Sequence, residues 1–334
     1  MYFSQFANAG AQDGTLGVVD RSGVVRTLNV PSAAYRNPRV SPDGRQIVVE
    51  TLASTGQSSL WVYDTKGGSA IRRLTQDGDT TRPVWSADGK RIAYAANTQK
   101  PQGIFWQFAD GSGLPERLTT TSDEAHQDYP ESFSRDGKVL SFARVRPPLG
   151  QDAWSLWTMR LDATERTPAL FFDLPTSNEF GSQFSPDGKW MAYASNASPQ
   201  GGEPTAFAIY MQPYPPTGAK YQISQTGGAW PIWSPDGREL IYRLNGGGVS
   251  GQRLHTVTVS TLPVPTFGAE QTLPIQGFLP VVNNREYDMF PDGKQFVMVF
   301  PVNRQDSGAV PAAQINAVLN WTEELKTRVP VKAR

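Results

Sequence analysis

The chain has 334 residues, in which 31 Lys plus Arg balance 31 Asp plus Glu, and it carries 9 Trp, 11 Tyr and 16 Phe. A formal charge of zero gives no electrostatic ground for nucleic acid or an anionic membrane as partner. There is no cysteine, which excludes disulfides, thiolate metal sites and a cysteine nucleophile, and the two histidines, His126 and His255, are too few for a three-histidine metal site.

In chain order, the opening MYFSQFANAGAQDG has neither a basic nor an apolar region and does not read as a signal peptide. No run approaches the roughly 18 apolar residues of a membrane helix, so a soluble chain without membrane insertion is expected. Residues 2–30 read as a strand followed by a hairpin. Six similar segments then follow: RVSPDGRQIVVE from Arg39, VWSADGKRIAYA from Val84, SFSRDGKVLSFA from Ser132, QFSPDGKWMAYA from Gln183, IWSPDGRELIYR from Ile232 and DMFPDGKQFVMV from Asp288. Their aspartates, Asp43, Asp88, Asp136, Asp187, Asp236 and Asp292, are spaced by 45, 48, 51, 49 and 56 residues. A period near fifty residues is that of a four-stranded propeller blade.

The turn chemistry explains the motif. Proline presets the first corner, aspartate tolerates the second, and glycine supplies the left-handed position that closes a short hairpin. Nearly continuous apolar runs flank each turn, as expected where both faces of a blade pack on its neighbours. A second hairpin follows each first one, as in LWVYDTKGGSAIRRLT from Leu60 and IFWQFADGSGLPERLT from Ile104. The expected fold is therefore an all-β propeller of four-stranded antiparallel blades, a single domain over residues 1–334. Strand counting favours seven blades, the first lacking its innermost strand and the last completed by INAVLNWTEELKTRVPV; six is the alternative.

The Pro-Asp-Gly repeat resembles that of TolB and WD-like propellers. GQFSPDGKWMAYASNASPQ, MQPYPPTG and VLNWTEELK further resemble the C-terminal propeller of bacterial eukaryotic-like serine/threonine protein kinases. That resemblance implies a sensor or interaction module, placed outside the membrane if attached to such a kinase; by itself the chain leaves its compartment open. No kinase catalytic motif is present, so kinase activity does not follow.

Candidate chemistry is sparse. A G-x-S-x-G nucleophile elbow is missing, Gly248-Val249-Ser250-Gly251 having the wrong spacing. Asp123, Asp128 and Glu131 form a weak oxygen-ligand set for a cation, and a solvated acidic loop explains them equally well. His126 is a possible general base, and His255 reads as structural. The six repeated aspartates read as turn formers, since a residue present in every blade serves the blade.

Residues that differ between blades at the channel rim are Arg36, Arg82, Tyr129, Glu179, Trp230 and Arg285. Their types and their place on loops of a rigid scaffold suit ligand binding; the plain alternative is that they pair across the channel mouth. The expectation is a non-enzymatic module without cofactor that binds a protein, peptide or small ligand at one face. The alternatives are a propeller enzyme of lyase or lactonase type and a purely structural scaffold.

Overall fold

A computed structural model describes residues 12–66, 72–76, 78–97, 102–120, 126–146, 154–172, 177–197, 206–244, 253–279 and 284–302. The chain opens with β1 (Gly14–Asp20) and β2 (Val25–Thr27). Blade 1 comprises β3 (Ala34–Val40), β4 (Gln46–Leu52), β5 (Ser58–Asp64) and β6 (Arg72–Arg73). Blade 2 comprises β7 (Thr80–Trp85), β8 (Arg91–Ala96), β9 (Gly103–Phe108) and β10 (Glu116–Arg117). Blade 3 comprises β11 (Gln127–Phe133), β12 (Val139–Val145), β13 (Trp154–Arg160) and β14 (Pro168–Phe172). Blade 4 comprises β15 (Glu179–Phe184), β16 (Trp190–Ser195), β17 (Ala208–Pro213) and β18 (Tyr221–Gln222). Blade 5 comprises β19 (Ala229–Trp233), β20 (Glu239–Arg243) and β21 (Leu254–Ser260), with β22 (Thr266–Phe267) and β23 (Gln271–Thr272) both on β21.

The last two described strands are β24 (Tyr287–Met289) and β25 (Gln295–Pro301), and their sheet runs β2-β1-β25-β24. The ring therefore has six blades, which corrects the expected seven. The opening strands do not begin a blade of their own. β1 pairs with β25 over seven positions, from Gly14↔Pro301 to Asp20↔Gln295, and supplies the outer half of blade 6. The proposed C-terminal strand, in residues 315–331, lies outside the described residues. Among the described residues no helix is long and apolar enough to cross a membrane.

Six apolar clusters fill the six junctions between blades. One joins Val48 and Leu60 of blade 1 to Ile92 and Tyr94 of blade 2. Others join Ile104 to Phe142, Leu156 to Tyr193, Ile209 to Tyr242, and Ile241 to Phe296. The sixth closes the ring, packing Leu16, Val18 and Val297 of blade 6 against Val40, Ile47 and Val49 of blade 1. Both faces of each blade are buried in this way, which explains why the strand sequences read as continuous apolar runs.

The repeated turns carry a second closure. Ser41 Oγ donates to Asp43 (2.6 Å), the same carboxylate accepts the Arg45 amide (3.0 Å), and the Gln46 amide donates back to Ser41 Oγ (2.9 Å). The same Ser–Asp pair recurs at Ser86–Asp88, Ser134–Asp136, Ser185–Asp187 and Ser234–Asp236. In blade 6, Phe290 stands at the serine position and Asp292 keeps only the amide bond from Lys294. All six aspartates thus act as turn formers. Gly44, at φ +73°, lies against Pro291 of the blade 6 turn, so the turns of the last and first blades touch.

The Ser41 hydroxyl holds the Asp43 carboxyl below its usual value, and Ser134 and Ser234 do the same for Asp136 and Asp236. A folded value below the unfolded one, about 3.9 for aspartate, contributes stability that is present above that pH and lost as pH falls through the folded value. In thermal melts from pH 7 to 2.5 the part of the stability due to these turns should therefore be level down to about pH 4 and fall below it. A protein carrying Ser41→Ala, Ser134→Ala and Ser234→Ala should melt lower on the plateau, by about 1 kcal/mol per serine, and fall less steeply in acid.

Candidate functional site

The innermost strand of each of the first five blades is interrupted by a bulge. Register shifts fall between Arg36 and Arg39, Thr81 and Val84, Pro130 and Ser132, Phe180 and Gln183, and Ala229 and Ile232. The inserted residues Asn37, Arg82, Gly181 and Trp230 are left-handed, with φ of 48°, 54°, 72° and 58°. Proline follows three of them, as Pro38, Pro83 and Pro231, where a bulge requires no ladder donor. For Arg82 and Trp230 this conformation costs about 1–3 kcal/mol each, a strain typical of functional positions. A bulge re-aims side chains, and these lie in the layer of strands that rings the centre.

What the bulges bring together is one cationic side chain and several aromatic rings. The Arg82 guanidinium carbon lies 4.2 Å from the Tyr129 ring centroid, 5.0 Å from that of Trp154 and 5.6 Å from that of Trp230. Blades 2 and 5 are opposite in a ring of six, so Arg82 and Trp230 meet across its middle. Trp230 packs on Phe180 at 4.6 Å, Phe180 on Phe207 at 4.8 Å, and Tyr129 stacks on Trp154 at 5.8 Å. Gly181 is required here: a Cβ would lie 3.2 Å from the Trp230 ring and 3.3 Å from its Cα. Burial holds the Arg82 guanidinium below its ordinary value, an effect that Tyr129, Glu131 and Glu50 oppose. Burial likewise raises the Tyr129 phenol.

Arg82→Ala should lower the midpoint of thermal unfolding by the equivalent of about 2 kcal/mol, the size of a desolvated cation–π contact. Arg82→Lys keeps the charge without the planar stack and should recover part of that loss. Tryptophan emission should change in both variants, since Trp154 and Trp230 lose their shared neighbour.

Carboxylates surround this group, each already engaged. Glu131 Oε1 accepts the Gly181 amide (2.6 Å), and Oε2 accepts the Ser182 amide (2.7 Å) and hydroxyl (2.5 Å). Burial nonetheless pushes the Glu131 carboxyl up, against those hydrogen bonds. Glu50 Oε2 accepts from Asn37 Nδ2 (2.9 Å) and the Arg82 amide (3.3 Å). Glu179 is fully enclosed and accepts from Ser177 (2.5 Å) and Ser195 (2.9 Å). Asp128 binds Arg144 through both oxygens, at 2.8 and 3.0 Å.

Of the six rim residues read from the sequence, Arg82, Tyr129 and Trp230 converge. Glu179 is buried on its serines. Arg36 stands opposite Glu50 in the β3–β4 ladder, and Arg285 lies at the blade 6–blade 1 seam beside Arg39. Asp128 and Glu131 serve separate partners and form no ligand set, and Asp123 lies outside the described residues. Among the described residues no cluster of three or more His, Asp or Glu is arranged to hold a metal. His255 faces Thr272 Oγ1 at 3.3 Å on β21, and Gly248-Val249-Ser250-Gly251 lies outside the described residues. Trp154, Phe180, Phe207 and Glu50 complete the group and were not anticipated. A concavity of about 1320 Å³ lies elsewhere, at the turns of blades 4 and 5, and its turn charges Asp187, Asp236 and Arg238 are exposed.

No known protein-family profile matches the chain. A putative TolB from Agrobacterium tumefaciens superimposes with a TM-score of 0.65, at 17% identity over 88% of this chain and 100% of that one. TolB from Acinetobacter baumannii gives 0.54, at 14% identity over 86% of this chain and 63% of that one. The solved neighbours are TolB-like β-propellers. At such identities the likeness establishes the fold alone.

Curated relatives carry more information. An uncharacterized protein of Agrobacterium fabrum is 26% identical over 61% of this chain and 67% of its own length. The uncharacterized peptidase YuxL of Bacillus subtilis is 25% identical over 48% of the chain, and the probable dipeptidyl-peptidase 5 of Aspergillus flavus 26% identical over 65%. The chain spans only 22% and 38% of these two peptidases. They nevertheless correct the expectation of a non-enzymatic module: relatives that match this propeller sequence are named as peptidases. None of these relatives is named as a kinase-associated propeller, and that finer resemblance is not shown.

Proposed function

We propose that the chain acts in peptide hydrolysis, as the propeller of a peptidase, and that peptide enters the ring at the end framed by Arg82, Tyr129, Trp154 and Trp230. The observation that carries this reading is the meeting of Arg82 and Trp230 from opposite blades, both held in a strained backbone conformation at the ring's centre. A peptide presents apolar side chains, amides and charged termini. Flat aromatic faces beside a guanidinium are surfaces that recognise such a mixture. Likeness to two named peptidases adds the reaction class. The hydrogen bonds described above do not join a serine, a histidine and a carboxylate, so the hydrolytic groups are assigned to residues beyond those described, in the same polypeptide or in a companion subunit.

The test is purification from native cells through a tag on this chain, so that any attached hydrolase is retained, followed by assay on internally quenched peptides. Peptide-cleaving activity should co-purify, and Arg82→Ala should reduce kcat/KM about tenfold or more, as expected for the loss of a binding anchor. Absence of co-purifying peptidase activity would overturn the reading, as would activity indifferent to Arg82.

A further inference from the structure

The innermost strands place a residue four positions before each turn aspartate. In blades 2 to 6 it is Val84, Ser132, Gln183, Ile232 and Asp288, neutral or acidic; in blade 1 it is Arg39. Arg39 is 7% exposed. Its Nη1 donates to the carbonyls of Pro38 (2.7 Å) and Arg285 (2.9 Å), while its Nε is enclosed without an acceptor. Among the described residues no carboxylate forms an ion pair with it.

Beside it stands a second buried cation. Arg285 is 5% exposed, its Nη2 is 3.4 Å from Asp288 Oδ1, and its Nε is likewise enclosed without an acceptor. The acids nearby are already committed. Asp288 Oδ2 accepts the Val40 amide (2.9 Å), and Glu286 is paired with Arg243. With the Arg243–Glu286 pair set aside, the two buried guanidiniums at the seam between blades 6 and 1, of Arg39 and Arg285, stand beside the single carboxylate of Asp288, and two minus one leaves one positive charge. Burial holds Arg39 well below its ordinary value, and the repulsion of Arg285 adds to that; Arg82 also contributes, which places the seam within electrostatic reach of the aromatic group. A buried, uncompensated charge is costly, and a guanidinium fork matches a planar two-oxygen anion.

We propose that Arg39 and Arg285 form a carboxylate-binding site at the blade 6–blade 1 seam, and that it takes the free C-terminal carboxylate of a peptide. The peptide identity rests on the function proposed above; the carboxylate class rests on the charge count. One excess positive charge suits a monoanion, whereas a phosphate dianion would leave an uncompensated negative charge.

The test compares N-acetyl-Ala-Ala-Ala free acid with its C-terminal carboxamide by calorimetric titration of the wild-type protein. The acid should bind about tenfold tighter or more, a difference of at least 1.4 kcal/mol. Arg39→Gln and Arg285→Gln should each abolish that preference. Because a seam variant can fail to fold, Arg39→Lys provides a second arm: it keeps the charge, loses the fork and should lose most of the preference. In parallel, thermal melts at constant ionic strength should show acetate raising the wild-type midpoint above its value in chloride, and not in Arg39→Lys. Equal binding of acid and amide, or a preference that survives both Gln variants, overturns the proposal. Phosphate stabilising more than acetate overturns the assigned class. If neither peptide binds while acetate still stabilises through Arg39, the carboxylate site stands and the peptide reading falls; if acetate does nothing either, the site falls with it.

Discussion

A protein lacking residues 14–30 should show no cooperative unfolding transition. These residues supply β1 and β2, half of blade 6, and β1 is bonded to β25 along its whole length. Leu16, Val18, Val19 and Leu28 are at most 3% exposed, and two of the six inter-blade clusters use them. Full burial of such side chains stabilises by about 1.5–3 kcal/mol each, so four of them approach the whole stability of a typical domain, about 5–15 kcal/mol. The loss would also expose β25 as a long apolar edge, a template for aggregation. Circular dichroism melts and size-exclusion chromatography check this. A cooperative melt within about 5 °C of the intact protein would show that blade 6 stands without its N-terminal half. Leu114→Asp, at a position 90% exposed, is the control and should change little.

Glu131→Ala should be the most damaging single substitution in the central layer. The carboxylate of blade 3 caps the amides of Gly181 and Ser182 in blade 4, together with the Ser182 hydroxyl, all of them buried. Removing it leaves three donors unmet, and each unmet buried donor costs about 1–3 kcal/mol. A total of about 4 kcal/mol corresponds to a fall of roughly 8–16 °C in melting temperature for a chain of this order of size. Glu131→Gln should be milder but still destabilising, because its amide nitrogen would face backbone donors.

The two proteins should also differ in their pH dependence. Burial raises the Glu131 carboxyl above its unfolded value. Its contribution is therefore fully present below about pH 4.3, the unfolded value, and declines as pH rises through the raised folded value. The stability advantage of wild type over Glu131→Gln should shrink as pH rises from about 4 toward neutrality. Denaturant titrations at several pH values check this, and an advantage that grows with pH would contradict the burial-driven shift.

The fold was legible because its determinants are local. A serine two residues before the aspartate and a glycine after it specify the same turn wherever they occur, and five of the six turns show the same Ser–Asp bond. Blade number was not legible, because ring closure is the pairing of β1 with β25, Leu16 opposite Val299 and Val18 opposite Val297, which no neighbouring residue announces. Read in isolation, GTLGVVD and VRT look like the start of a blade; only their pairing with β25 makes them the end of one.

The site was partly legible. Arg82, Tyr129 and Trp230 drew attention as departures from the repeat, and they do meet. Trp154 and Phe207 were missed because they begin or precede the third strand of their blades, outside the rim segments. A signal existed in Trp154 and Phe207 standing at matching places ahead of SLW and AIY. Glu131 was read as a possible cation ligand, yet its oxygens face amides; the geometry that decides this comes from the bulge at Gly181. Arg39 could have been noticed as the sole cation at its repeat position, but its isolation from carboxylates is a property of the closed seam.

A crystal structure of the protein with a bound N-acetylated tripeptide tests the central claim most directly. The peptide should lie among the innermost strands, against Tyr129, Trp154 and Trp230, with the Arg82 side chain in contact with it. A peptide held on the outer edges of the blades, or in the concavity at the turns of blades 4 and 5, would contradict the claim that the ring's centre is where this protein meets its substrate.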